Sequence, residues 1–150
     1  MEIEKVLEKR KSCRSYVDRE IQDNLISKII WAAERAPFAS GGPRRKMYVI
    51  SDQKNKNRIF KACKKQIYVK QCSSIIIFCG KDIETKLRSG HPKYVHDCDA
   101  AVMCSILMAT SLGVDSCWIG NFEPDAIKKI LNVEYRPTVV LLLGYGDENK

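Results

Sequence analysis

Apolar residues recur along this chain with two periods, and the alternation between them predicts its elements. Ile3, Val6 and Leu7 fall on one face of a short helix that runs out near Lys9. A stronger helix follows Asp23, its predicted cap. Leu25, Ile26, Ile29, Ile30 and Ala33 form its apolar stripe, and Pro37 is its stop. Met47 to Ile50 reads as strand, and Asn55 to Cys63 as a charged helix that buries only Ile59, Phe60 and Cys63. Ser74 to Cys79 is too apolar to have a wet face and reads as a buried strand. Asp82 to Val95 shows no clear period and reads as loop.

In the second half, Asp97 or Asp99 is the expected cap of a long helix. Its residues are apolar on nearly every side from Ala100 to Leu112, and Gly113 closes it. A helix of that kind is central or lies at an interface. A short strand from Ser116 to Ile119 follows, then a helix opening at Pro124 and a final strand from Thr138 to Leu143. The polar tail, Gly144 to Lys150, is expected to be mobile unless a partner holds it. Strands alternating with helices indicate α/β or α+β, and residues 1–150 read as a single domain without repeat or linker.

Composition adds exclusions. At 150 residues with 45% hydrophobic and 29% charged positions, the chain can bury a core and is not disordered. No apolar run approaches the roughly 18 residues that a membrane span needs. The seven cysteines form no C-x-x-C pair, so zinc and disulfide frameworks do not fit, no metal site is expected and the thiols read as structural. Free thiols and an N-terminus unlike a secretory signal place the chain in the reducing cytoplasm. A formal charge of +8 admits nucleic acid, an acidic surface or a phosphorylated ligand, and a solvated surface is the commoner meaning of charge alone.

Three segments concentrate chemistry. Arg10-Lys11-Ser12-Cys13-Arg14 puts three cations and a hydroxyl in five residues, the donor set that a phosphate dianion wants. Such a run is more often a solvated turn. Ser40-Gly41-Gly42-Pro43-Arg44-Arg45 joins adjacent glycines, which let a backbone approach a flat ligand, to two further cations. Leu112 to Gly120 leads from the apolar helix into a strand ending at Trp118-Ile119-Gly120, although a lone tryptophan is usually core. Neither G-x-x-x-x-G-K-[ST] nor G-x-G-x-x-G is present, which argues against a nucleoside triphosphatase and against a dinucleotide fingerprint.

In order and spacing these pieces resemble the nitroreductase family of flavoproteins. Arg10-x-Ser12-x-Arg14 is similar to its R-x-S-x-R element, and Ala36-Pro37 followed by Ser40-Gly41-Gly42 to its A-P-S-x-G segment. Asp99-Ala100-Ala101 with Leu112-Gly113 and Ser116 to Gly120 resembles its central helix and following strand, and Val139 to Tyr145 its last strand. The resemblance implies an α+β fold, a central mixed or antiparallel sheet flanked by helices, in a homodimer with two FMN sites across the interface. Carried over, Arg10, Lys11, Ser12 and Arg14 hold the phosphate and ribityl chain. Ala39, Ser40 and Gly41 lie against the flavin from the other subunit. Gln66 reaches the pyrimidine edge, and the backbone of Trp118, Ile119 and Gly120 faces N5 and O4. The reductant implied is NADH or NADPH, and the acceptor a small oxidant such as a nitro compound or quinone, reduced by ping-pong hydride transfer through N5.

The chain departs from the family pattern at Phe38 and Ala39 and at Pro43-Arg44-Arg45. Between Cys79 and Asp97 it leaves little room for a lid, and after Tyr145 only Lys150 is left to add a cation to the phosphate site. An open site is therefore expected, with Arg44 and Arg45 favouring anionic acceptors. No side chain is nominated as catalytic acid or base; His91 and His96 read as solvated. The competing class is a protein that binds FMN or another phosphorylated ligand without turnover, or a basic nucleic-acid binder. Nucleic-acid binding favours aromatics interleaved with cations on one surface; Tyr16 and Tyr48 lie near cations, but the apolar strands and central helix dominate, which makes nucleic acid the weaker alternative.

Overall fold

The computed structural model describes residues 1–149. Four strands, β1 (Arg45–Ile50), β2 (Ser74–Gly80), β3 (Asp115–Ile119) and β4 (Arg136–Gly144), form one sheet in the order β1-β2-β4-β3, with every neighbouring pair antiparallel. The helices are α1 (Ile3–Lys9), α2 (Asp23–Glu34), α3 (Gln53–Ala62), α4 (Tyr68–Gln71), α5 (Lys93–Ser111) and α6 (Pro124–Leu131). This is the α+β class that the sequence implied. Among the described residues no helix is long and apolar enough to cross a membrane.

The sheet has a core on each side, which is why its central strands lack a polar face. Ile75, Ile77, Val140 and Leu142 pack with Ile59 of α3, Val69 of α4 and Ile127 of α6. Ile76, Phe78, Leu141 and Leu143 pack with Ile29 and Ala33 of α2 and with Ala101, Val102 and Ile106 of α5. Each large side chain buried this way contributes about 1.5–3 kcal/mol relative to exposure. The layers are thus helix, sheet, helix.

Several sequence expectations are corrected here. Asp23 is the first residue of α2 and not its cap; Gln22 occupies that position without a side-chain bond. Neither Asp97 nor Asp99 caps the long helix, which begins at Lys93 after Pro92. Its first turn was hidden by polar residues, but Tyr94 lies so close over Gly80 that a Cβ there would come within 2.1 Å of its ring. The final strand starts earlier than Thr138, at Arg136, and the four-residue α4 is too short to show a period.

The tail is also not loose through Asp147. Val17 N–H donates to the Tyr145 carbonyl at 2.9 Å, Asp147 N–H to Ser15 at 3.0 Å, and Gly146 N–H to the Asp115 carboxylate at 2.8 Å. The cation expected at Lys150 lies outside the described residues.

Candidate functional site

The Arg10–Arg14 segment runs along the outer edge of β3. Cys13 N–H donates to the Ser116 carbonyl at 2.8 Å, and Ser12 and Ser116 form a parallel bridge. Just after it, the tail bonds to the backbone of Ser15 and Val17. Cys13 is the buried residue of the five, and its neighbours Arg10, Lys11, Ser12 and Arg14 are exposed. No ion pair or hydrogen bond engages those four side chains among the described residues. The segment thus presents three uncompensated cations and a hydroxyl along the β3 edge.

Beyond Ser12 the edge of β3 is open. Strand alternation turns the backbone groups of Trp118 to the same side as those of Ser116, away from β4. Trp118 is 37% exposed. A Cβ on Gly120 would meet nothing nearer than Trp118 Nε1 at 3.9 Å, so internal packing does not require glycine there. The edge from Ser116 to Gly120 spans about 13 Å. Alongside it, Ser12, Arg14, Ser15, Ile67 and Gln71 line a cavity of about 480 Å³.

Gln66 lies beside this cavity with its amide already in use. Its Nε2 donates to the Cys63 carbonyl at 3.0 Å and its Oε1 accepts from the Tyr68 hydroxyl. Gln71, which sequence reading passed over, lines the cavity instead. Two consecutive left-handed residues, Lys64 and Lys65 (φ +53° and +56°), turn the chain out of α3 and deliver this segment. No periodic or motif signal marks a turn of that kind.

The Ala39–Gly42 loop lies elsewhere. It precedes β1, the opposite edge of the sheet, while the cation segment lies beside β3. Three strand spacings separate the two edges, roughly 14 Å, and about seven residues of β4 separate their levels, roughly a further 24 Å. One chain therefore does not bring Ser40 and Gly41 to Arg10–Arg14. Gly41 and Gly42 hold φ of +97° and +96°, a region that residues with a Cβ avoid.

Arg44 and Arg45 do not serve as free cations near this loop. Arg44 pairs with Asp82 at 3.0 Å and donates to the carbonyls of Ser40 and Gly42. Arg45 is buried and donates to the carbonyls of Ala36, Pro37 and Asp97. Arg44 is engaged by a carboxylate and two backbone carbonyls and Arg45 by three carbonyls, so neither guanidinium stands free to draw an anionic acceptor. Between β2 and α5 there is no lid helix among the described residues; the loop is closed by its own bonds, such as Leu87 N–H to His91 and Lys93 N–H to Thr85.

Six of the seven thiols are buried and held neutral. Burial pushes Cys63, Cys72 and Cys79 up to about 12 and Cys98 to about 11, and it also raises Cys13 and Cys117 beside the cation strand. Among the described residues no group of three or more His, Cys, Asp or Glu could hold a metal.

The sequence and the antiparallel α+β fold both match a group of known proteins. Residues 2–150 match the family described as "Putative TM nitroreductase". The chain belongs to this nitroreductase family, a family of oxidoreductases. A "Putative NADH dehydrogenase/NAD(P)H nitroreductase" of Archaeoglobus fulgidus is 29% identical over 97% of the chain and 86% of the relative. Among solved structures, a nitroreductase family protein from Clostridium novyi NT superposes with a TM-score of 0.91 at 27% identity, covering 99% of this chain and 87% of that one. An FMN-dependent nitroreductase from Clostridium difficile R20291 gives 0.84 at 26% identity, covering 97% and 88%.

Proposed function

We propose that the protein is an FMN-dependent NAD(P)H oxidoreductase that reduces small oxidants, nitro compounds and quinones among them, as a homodimer. The observation that carries this reading is the strand of uncompensated cations beside an open β-edge. Arg10, Lys11 and Ser12 would hold the phosphate, since guanidinium and ammonium donors form charge-assisted bonds to it. Arg14 and Gln71, on the walls of the neighbouring cavity, would meet the polar edge of the ring, and the backbone of Trp118 to Gly120 would supply donors along its length. Gln66 would contribute only by releasing its present bonds. The name of the Clostridium difficile relative supports the flavin, and that of the Archaeoglobus relative the nicotinamide.

When bound, FMN supplies a two-electron carrier between nicotinamide and oxidant. The chain contributes binding, orientation and positive charge, and no side chain stands where it would act as acid or base. A single open face must receive reductant and oxidant in turn, so the kinetics should be ping-pong.

Two observations support the dimer. The glycine loop and the cation strand occupy diagonal corners of one sheet, and a two-fold related copy can bring one to the other. In addition α1 buries only Val6 and leaves Ile3 and Leu7 59% and 55% exposed beside α5, an apolar face of the kind that marks interfaces.

Titration with FMN tests the reading. Wild type should bind it and bleach with NADH or NADPH, and Arg10→Gln and Arg14→Gln should each weaken binding about tenfold or more, as loss of a charge-assisted bond does. Unchanged affinity in both variants would remove the cation strand from the site. Binding without bleaching would indicate a flavin carrier in place of an enzyme.

A further inference from the structure

Asp97 is fully buried inside α5, where an ionised side chain is costly unless its oxygens are satisfied. Both of them are, and by the two ends of one loop. Oδ1 accepts from Ala39 N–H at 2.7 Å, and Oδ2 from Arg44 N–H at 2.8 Å. The carbonyl of Asp97 accepts from the Arg45 guanidinium at 2.9 Å, which brings a buried cation beside the buried anion.

Between its pinned ends the loop carries the two left-handed glycines, and its interior ties are those of the Arg44 side chain to Ser40 and Gly42 and of Lys93 Nζ to the Ser40 carbonyl and hydroxyl, both at 3.2 Å. A loop that short could take other shapes once its ends are released, because glycine imposes none. Close packing at this point of α5 needs no carboxylate, whereas holding the backbone donors of Ala39 and Arg44 together needs two acceptor atoms at a fixed spacing.

We propose that Asp97 is a positioning residue for the flavin site, fixing the Ala39–Arg44 loop in the conformation that Gly41 and Gly42 present to the flavin of the opposite protomer. This rests on the flavin and dimer reading above. Asp97 touches neither cofactor nor substrate; it acts through the loop.

Asp97→Asn keeps the volume but turns one acceptor into a donor facing an N–H. The variant should fold and bind inorganic phosphate at the Arg10–Arg14 strand as wild type does, while its affinity for FMN falls about tenfold. Should Asp97→Asn not fold, Arg44→Gln releases the same loop from its exposed side and should show the same split. Mixed dimers separate positioning from general damage. A chain with Arg14→Gln paired with a chain carrying Asp97→Asn has both defects in one site and none in the other, so half of the FMN should bind with wild-type affinity. If Asp97 only stabilises its own protomer, no wild-type site survives in that dimer, and the proposal is overturned. Wild-type FMN affinity in the Asp97→Asn homodimer overturns it as well. A wild-type chain that takes up no FMN instead removes the flavin reading, and this proposal with it.

Discussion

Gly41 and Gly42 share a left-handed backbone and differ in what surrounds them. A Cβ on Gly41 would lie 2.8 Å from the Arg44 guanidinium, whereas one on Gly42 would meet nothing within 4 Å. Gly42→Ala should therefore cost only the conformational term, about 1–2 kcal/mol. Gly41→Ala should cost more, because it also displaces the side chain that closes the loop. Urea unfolding of the two variants checks the order, and equal costs would mean that Arg44 adjusts freely. The buried thiols give a second expectation at this scale. Cys63, Cys72 and Cys79 rise from 9.0 to about 12 on folding, so the native state keeps protons that the unfolded chain releases. Their contribution is complete below pH 9 and is lost as pH climbs from 9 toward 12, at about 1.4 kcal/mol per pH unit for each thiol. Denaturation midpoints measured between pH 7 and 10.5 should fall above 9, and Cys63→Ala should make that fall shallower.

Among the elements, the cation strand depends on two neighbours that are remote in sequence. β3 holds it through Ser116, and the tail holds it through Ser15, Val17 and the Asp115–Gly146 bond. Asp115→Ala leaves the Gly146 N–H without its acceptor, at about 1–3 kcal/mol if the amide stays dry. Hydrogen exchange at Gly146 and Asp147 should then speed up, and phosphate should bind more weakly although no cation has been removed. Unchanged phosphate affinity with a freed tail would show that β3 alone sets the strand.

At the scale of the whole molecule, the proposed function ties activity to assembly, because the glycine loop and the cation segment lie at diagonal corners of one sheet. Light scattering should return twice the chain mass under conditions where FMN binds; a monomer with flavin bound would refute the shared site. With no lid helix between β2 and α5, reduced flavin should be poorly shielded from dioxygen, because closure is how enzymes exclude such side reactions. Broad acceptor selectivity and appreciable NAD(P)H oxidation in air are expected. Since Arg44 and Arg45 are committed to the fold, anionic acceptors should gain little over neutral ones of similar shape. Steady-state kinetics on a matched panel, with and without oxygen, checks both points, and one strongly preferred acceptor with air-stable reduced flavin would mean that another segment closes the site.

What the sequence determined by itself follows from local physics. The SIIIFC run had to be a buried strand because it offers no polar face, the stripes of α2 and α6 repeat at the helical period, and the crowding of Arg10, Lys11 and Arg14 is visible without coordinates. Tertiary structure decided what depends on partners tens of residues away. Asp97 looks like a helix cap in sequence because that is the commonest local use of an aspartate before an apolar run, yet its partners are Ala39 and Arg44. Arg45 looks like surface charge until three carbonyls close around it, and Gln66 looks available until Cys63 and Tyr68 take its amide. Hydrophobic periodicity records which face of an element is dry. It carries no information about which distant donor will meet a given acceptor, and the geometry of this site is made of such meetings.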